Sequence, residues 1–167
     1  LTIPKTGIET ARVNELLEGL HKLPEGFKPL SKIDRINKGK QKLIAEGNID
    51  WALGELLAYG SILTEGRNVR LSGQDVKRGT FSHRHAVLRD AETYEAYNRL
   101  NHLSDKQGQF MIYNSLLSEF AVLGFEYGYS LSSPDHMIIW EAQFGDFFNG
   151  AQTIVDQYIS AAESKWH

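Results

Sequence analysis

The chain has 167 residues, a formal net charge of -3 at pH 7 and no cysteine. This length suits one domain that buries its own core, and the lack of cysteine excludes disulfides, a thiolate nucleophile and a cysteine-based metal site. The slight negative charge, with scattered lysines and arginines, indicates neither a nucleic-acid partner nor an electrostatic membrane partner. The longest apolar runs fall far short of a membrane span.

The first part of the chain predicts two helices. Residues 8–23 carry apolar side chains at helical spacing, and Pro24 ends the pattern. Residues 31–46 repeat this spacing among many lysines, with Ser31 as the expected N-cap. Such a lysine-rich face is typical of a solvated helix. We therefore expect residues 1–47 to form a helical connector.

A third helix and a strand are predicted next. Asp50 can cap a helix that continues through Thr64, and NVRLS at 68–72 alternates apolar and polar residues as a strand does. The strand leads into a polar, glycine-containing loop, GQDVKRGTFSHRHA. Residues 91–108 have little pattern and predict a short helix with a long surface loop.

The second half predicts alternating strands and helices: a strand at 110–114, a helix at 118–131, a strand at 136–142 and a closing helix at 146–165. Such alternation with strongly apolar strands favours an α/β fold, with a mostly parallel sheet covered by helices on both faces. The helix at 118–131 is apolar nearly all round, which predicts that it is buried. Its Gly124 and Gly128 favour close packing against another helix.

Three stretches carry a family resemblance: IDWALGELLAYGSILTEG, RLSGQDVKRGTFSHRHAVLRD and SEFAVLGFEYGYSLSSPDHMIIWEAQFGDF. Together they resemble the first, thiamine-diphosphate-dependent component of 2-oxoglutarate dehydrogenase complexes. The resemblance implies that residues 48–167 form a transketolase-like pyrimidine-binding domain with three layers. Enzymes of this family are several times longer, and the chain begins with Leu1 rather than Met. We therefore expect a fragment that is inactive alone.

Glu119 is the first candidate site residue. From the residues alone it is equally a carboxylate favoured by a helix dipole and a catalytic group. The resemblance implies the second role, in which the carboxyl group shares a proton with a pyrimidine ring nitrogen of the cofactor. It also implies that Phe144 stacks on the pyrimidine and that Gln74, beyond the first strand, reaches the cofactor or the intermediate formed on it.

His83 and His85 flank Arg84 in the polar loop. Two histidines without a third ligand at a recognisable spacing make a poor metal site. Binding of an anionic dicarboxylate substrate suits these residue types better, and local hydrogen bonds that fix the loop are an equal alternative. Glu141 and Asp146 are expected to bond to backbone groups.

The resemblance also implies groups that this sequence lacks. The family holds magnesium and the diphosphate with a Gly-Asp-Gly motif and a downstream Asn pair, which do not occur here. Those ligands are therefore expected on a diphosphate-binding domain absent from this chain. The implied partners are that domain, a second subunit in a homodimer and a lipoyl succinyltransferase component, in the bacterial cytoplasm or the mitochondrial matrix. Two alternatives stay open: a related thiamine-dependent 2-oxo acid decarboxylase, and a non-catalytic assembly domain.

Overall fold

The computed structural model describes residues 3–166. These residues form two compact units. One comprises the chain through Gly66 together with Ala86–Gln107, and the other comprises Arg67–His85 together with the chain from Gly108 onward. The expected boundary between a connector at 1–47 and a domain at 48–167 stays a prediction. Leu1 lies outside the described residues.

The first unit contains three helices: α1 at Thr10–His21, α2 at Ser31–Ala45 and α3 at Trp51–Thr64. The cap of α3 is confirmed, because an Asp50 carboxylate oxygen accepts the backbone N–H of Leu53 at 2.7 Å. The cap of α2 is not the predicted one. The Leu30 carbonyl accepts from the third and fourth helical residues at 2.8 and 3.0 Å, so Ser31 is already helical.

The same unit contains two short antiparallel strands, β2 at Val87–Arg89 and β3 at Ala96–Asn98, followed by a 3-10 turn at Arg99–His102. The prediction of a short helix and a long loop over 91–108 missed β3, whereas a short helix is present there as the 3-10 turn at Arg99–His102. Strands of three residues are too short to show an alternating pattern. Their turn is organised instead by Asp90, whose carboxylate accepts the backbone N–H groups two and three residues further on.

The second unit contains a parallel sheet of β1 at Val69–Gly73, β4 at Phe110–Asn114 and β5 at Met137–Glu141. The strand order is β4-β1-β5, with β1 in the centre. The predicted α/β class with a parallel sheet is confirmed. The register places the last residues of the three strands side by side, so their carboxyl ends form one edge.

Helix α4, at Glu119–Ser132, contacts β5 and the turn that follows it. Leu123 on this helix forms a small core with Ala151 and Ile154. The prediction that α4 is buried all round was wrong. Three of its large apolar side chains are at least half exposed: Phe120 at 50%, Phe125 at 55% and Leu131 at 57%. Among residues 3–166, the buried side chains of this helix are Val122, Leu123 and Glu126, which leaves its other side exposed.

The closing segment is not one regular helix. It runs through a 3-10 turn at Phe148–Ala151, α5 at Gln152–Ile154, a π-helical stretch at Val155–Ile159 and α6 at Ala162–Trp166. The π turn is closed by a bond from the N–H of Ser160 to the carbonyl five residues earlier. A regular helix over 146–165 was therefore the wrong prediction.

The expectation that the two glycines of α4 permit close packing against another helix stays a prediction. A side-chain carbon added at Gly124 would lie 3.5 Å from Ile154, whereas one added at Gly128 would meet nothing within 4 Å. Within residues 3–166, no helix combines the length and the hydrophobicity needed to cross a membrane.

Candidate functional site

A small cleft opens at the carboxyl ends of β1 and β5. Its walls include the polar side chains of Gln74, Glu119 and Glu141 and the apolar side chains of Val122 and Trp140. In parallel α/β sheets, ligands bind beyond the carboxyl ends of the strands. The cleft therefore lies where the sheet topology favours a ligand, and it contains two of the predicted site residues.

Glu119 is the first residue of α4. The Ser118 hydroxyl caps this helix by accepting the N–H of Ala121 at 3.3 Å, so the carboxylate projects from the first turn. Its Oε1 accepts a hydrogen bond from Nε2 of Gln74 at 3.2 Å. A carbon added at Gly150 would lie 3.2 Å from the other carboxylate oxygen, so glycine leaves room for the Glu119 side chain. The sequence separates Gln74 and Glu119 by 45 positions, and the fold joins them.

Phe144 follows the cleft residue Gln143 directly. Its backbone has φ of 57°, a region that bulky residues rarely adopt. The side chain is 56% exposed, and its ring meets Phe81 edge-on with centroids 5.3 Å apart. Strained conformations of this kind are concentrated at functional sites. An aromatic face is thus held open beside the cleft at a cost to the backbone.

The two loop histidines differ in their surroundings. His85 is only 8% exposed, and its Nε2 lies 3.0 Å from both the hydroxyl and the carbonyl oxygen of Ser82. His83 is half-buried, with its ring near Phe81 at 6.2 Å. Gly79 has no side chain where one would overlap the His83 ring. His85 therefore makes local contacts that fix the loop, and substrate binding by either histidine stays a prediction.

Arg84 does not act as the loop's anion-binding side chain. It is 0% exposed, and its guanidinium donates to both carboxylate oxygens of Glu141 and, at 2.8 Å, to the carbonyl oxygen of Val76. This pairing also corrects the expectation that Glu141 bonds to backbone groups. Nothing in the sequence signals it, because the two residues lie 57 positions apart.

Acidic and histidine side chains do not gather into a metal site here. Among residues 3–166, no three His, Asp or Glu side chains come close enough together to hold a metal ion.

Comparison with known proteins agrees with this geometry. A model of the transketolase pyrimidine-binding domain matches residues 47–167. The chain belongs to this family. The matched range includes the parallel sheet, the cleft at its edge and Glu119 at the start of α4, so all three belong to a transketolase-like pyrimidine-binding domain.

Individual relatives are identical to this chain at about half of the matched positions. The chain is 53% identical to the mitochondrial 2-oxoglutarate dehydrogenase of Caenorhabditis elegans, over 99% of the chain and 16% of the relative. It is 53% identical to the mitochondrial enzyme of Schizosaccharomyces pombe, over 96% of the chain and 16% of the relative. It is 54% identical to the 2-oxoglutarate dehydrogenase E1 component of Oceanobacillus iheyensis, over 96% of the chain and 17% of the relative. The resemblance predicted from the motifs is confirmed, and the chain spans about one sixth of these relatives.

Proposed function

We propose that this chain is the pyrimidine-binding domain of a longer 2-oxoglutarate dehydrogenase. In that enzyme the sheet edge at the carboxyl ends of β1 and β5, where Glu119 stands, forms one wall of the binding site for the aminopyrimidine ring of thiamine diphosphate. The observation that carries the proposal is the placement of Glu119. Its carboxylate stands at the cleft on this edge and accepts a hydrogen bond from the amide of Gln74.

The residues present fit the pyrimidine half of the cofactor. The Glu119 carboxyl group can exchange a proton with a ring nitrogen. The exposed face of Phe144, held by an unfavourable backbone conformation, can stack on the ring. Gln74 orients the carboxylate through its amide N–H. When bound, thiamine diphosphate supplies the electron sink for loss of carbon dioxide from a 2-oxo acid.

The diphosphate half needs groups from another domain. Magnesium and its ligands would come from a diphosphate-binding domain that this chain does not include. His83 and His85 would bind the substrate's carboxylate groups from the loop after β1. The whole enzyme would transfer a succinyl group to lipoamide on a succinyltransferase component, in the bacterial cytoplasm or the mitochondrial matrix.

A second subunit fits the exposed face of α4. This face is an apolar groove of about 430 Å³, lined by Phe120, Tyr127 and Leu131 around the two helix glycines. Exposed apolar surface of this kind is typical of protein interfaces. We place the homodimer contact here, so that two copies of the chain approach each other through α4.

The test is the variant Glu119→Gln in the full-length protein that contains this chain. Glutamine keeps the shape of the side chain but cannot exchange the proton, so kcat for release of carbon dioxide from 2-oxoglutarate should fall by at least about a hundredfold. The thermal unfolding midpoint should stay unchanged. The control Asp135→Asn removes an exposed carboxylate beyond the other end of α4 and should leave kcat as it is.

Near-normal turnover in Glu119→Gln would contradict the assignment of this residue. Preferential decarboxylation of a different 2-oxo acid by the wild-type protein would keep the pyrimidine-binding role and change the substrate. A wild-type protein without any thiamine-dependent activity would indicate a non-catalytic assembly domain.

A further inference from the structure

An arginine–carboxylate ion pair lies beside the cleft, with the Arg84 side chain 1% exposed and the Glu141 side chain 31% exposed. Arg84 comes from the loop that follows β1, and Glu141 is the last residue of β5. The guanidinium is 0% exposed and donates to both oxygens of the Glu141 carboxylate, which itself lines the cleft. A bidentate arginine–carboxylate pair has a well-defined geometry, so it can fix the relative position of the two segments that carry its residues.

Stability alone does not account for this pair. Arg84 is removed from water while Glu141 keeps part of its exposure, and the burial of a charge costs several kcal/mol that pairing does not always offset. The Arg84 side chain has lost its hydration completely. Its burial is better explained by the geometry that it imposes on the loop.

The pair holds the segment that carries Gln74. Arg84 donates to the carbonyl of Val76, two residues beyond Gln74, while it binds Glu141. Gly73, one residue before Gln74, passes so close to the Glu141 carbonyl that an added side-chain carbon would overlap it. The start of the loop is therefore attached to the end of β5 on both sides of Gln74.

A third contact fixes the same segment to β4. The backbone N–H of Lys77 donates to Oδ1 of Asn114 at 3.0 Å, and Asn114 is the last residue of that strand. With these attachments in place, the exposed amide of Gln74 reaches Oε1 of Glu119 at 3.2 Å. The contact at Glu119 thus depends on a loop whose only fully buried charged side chain is Arg84.

We infer that Arg84 is a positioning residue. By binding Glu141 and Val76 together, it places the Gln74 amide against the Glu119 carboxylate. This inference rests on the proposed function, because it concerns the orientation of the carboxyl group that exchanges a proton there. Arg84 acts through its hydrogen bonds to Glu141 and Val76.

A double-mutant cycle in the full-length protein tests the inference, using Arg84→Met, Gln74→Ala and the two changes combined. Misplacement of a reacting group by about 1 Å can lower the rate about a hundredfold, so Arg84→Met should lower kcat by that order and change KM less. If Arg84 acts through Gln74, adding Arg84→Met to Gln74→Ala should lower kcat by no more than about threefold. Arg78→Met is the matched control, since Arg78 lies in the same loop with its side chain 48% exposed, and it should leave kcat unchanged.

An equal loss of kcat from Arg84→Met in both backgrounds would overturn the inference, and so would an unchanged kcat. If Arg84→Met does not fold, Glu141→Gln replaces it in the same cycle, because glutamine preserves the shape and one acceptor of the pair. Amide hydrogen exchange adds a readout that is independent of activity, and it should become faster in residues 74–78 of Arg84→Met. Absence of thiamine-dependent turnover in the wild-type protein would be a failure of the proposed function. Unchanged exchange with normal wild-type turnover would be a failure of Arg84 as the positioning residue.

Discussion

At the residue scale, the candidate site depends on side chains that are costly in the fold without a ligand. Phe144 combines a backbone φ of 57° with a side chain that is 56% exposed. A strained backbone and an exposed aromatic ring each lower the stability of the free protein. Both features are explained if the Phe144 ring stacks on a bound cofactor.

Replacing Phe144 tests that role. In the full-length protein, Phe144→Leu should weaken the binding of thiamine diphosphate about fivefold, because an aromatic pair contributes about 1 kcal/mol beyond its buried area. Phe144→Tyr keeps the aromatic face and should bind as the wild type does. Calorimetric titration measures both. Equal affinity in the leucine variant would show that Phe144 does not stack on the cofactor.

Asp90 illustrates a carboxylate with a structural role. Hydrogen bonds from the backbone N–H groups of Lys28, Thr93 and Glu92 lower the pKa of Asp90 to about 2. The unfolded chain has a pKa of about 3.9 for this residue type. The bonds therefore stabilise the fold fully above about pH 4, and their contribution is lost as the pH falls towards 2.

The prediction concerns how stability depends on pH. Between about pH 5 and pH 2, the urea midpoint of unfolding should fall less in Asp90→Asn than in the wild-type protein, because the variant has no carboxylate to protonate at this turn. Asp105→Asn, an exposed aspartate in the same unit, should follow the wild-type curve. Parallel curves for Asp90→Asn and the wild type would refute the role of Asp90.

Some residues of the candidate site were predictable from the sequence and others were not. Glu119 and Gln74 stand in motifs at the predicted ends of a helix and a strand, and the structure brings them into contact. The burial of Arg84 was not predictable, because it depends on Glu141, a partner far away in the sequence. An arginine between two histidines in a polar loop indicates binding of an anion equally well.

At the element scale, α4 matters because it carries Glu119 at its first position. The helix is attached to the central strand by Arg70 of β1, whose Nε donates to both Glu126 oxygens at 2.8 and 3.1 Å. The Arg70 guanidinium also lies over the rings of Tyr113, Tyr129 and Phe125, at 4.6, 4.8 and 5.2 Å. Burial acts to lower the pKa of Arg70, but the bond and the charge of Glu126 outweigh it and raise this pKa.

Breaking this pair on one side should be costly. Glu126→Leu leaves the Arg70 charge without a counterion in a largely buried place, so the free energy of unfolding should fall by about 3 kcal/mol. The double variant Arg70→Met with Glu126→Leu removes both charges and should recover most of that loss. Thermal or urea unfolding of the three proteins measures the difference. A double variant as unstable as Glu126→Leu would mean that the pair does not hold α4 in this way.

Elements were predictable where a pattern had room to develop. Helix α3 and strand β4 have the predicted bounds, since fourteen and five residues with consistent periodicity identify them. Strands β2 and β3 have three residues each and were missed. The closing helix was predicted as continuous because its apolar spacing is helical, whereas the structure interrupts it with a π turn.

At the scale of the whole molecule, the candidate site lies at one edge of the parallel sheet. The cleft residues and Phe144 stand at the carboxyl edge of the sheet, and the exposed face of α4 adds an apolar groove. The relatives are about six times longer than the stretch that they share with this chain. We propose that their remaining domains supply the diphosphate and metal ligands.

The central claim is that this chain holds half of a cofactor site. The measurement that tests it is calorimetric titration of thiamine diphosphate with magnesium into the 167-residue chain and into the full-length protein, after circular dichroism shows that both are folded. The account predicts tight, magnesium-dependent binding to the full-length protein alone. Equally tight, magnesium-dependent binding to the 167-residue chain would contradict it, because the chain would then contain the metal and diphosphate ligands that we assign to another domain.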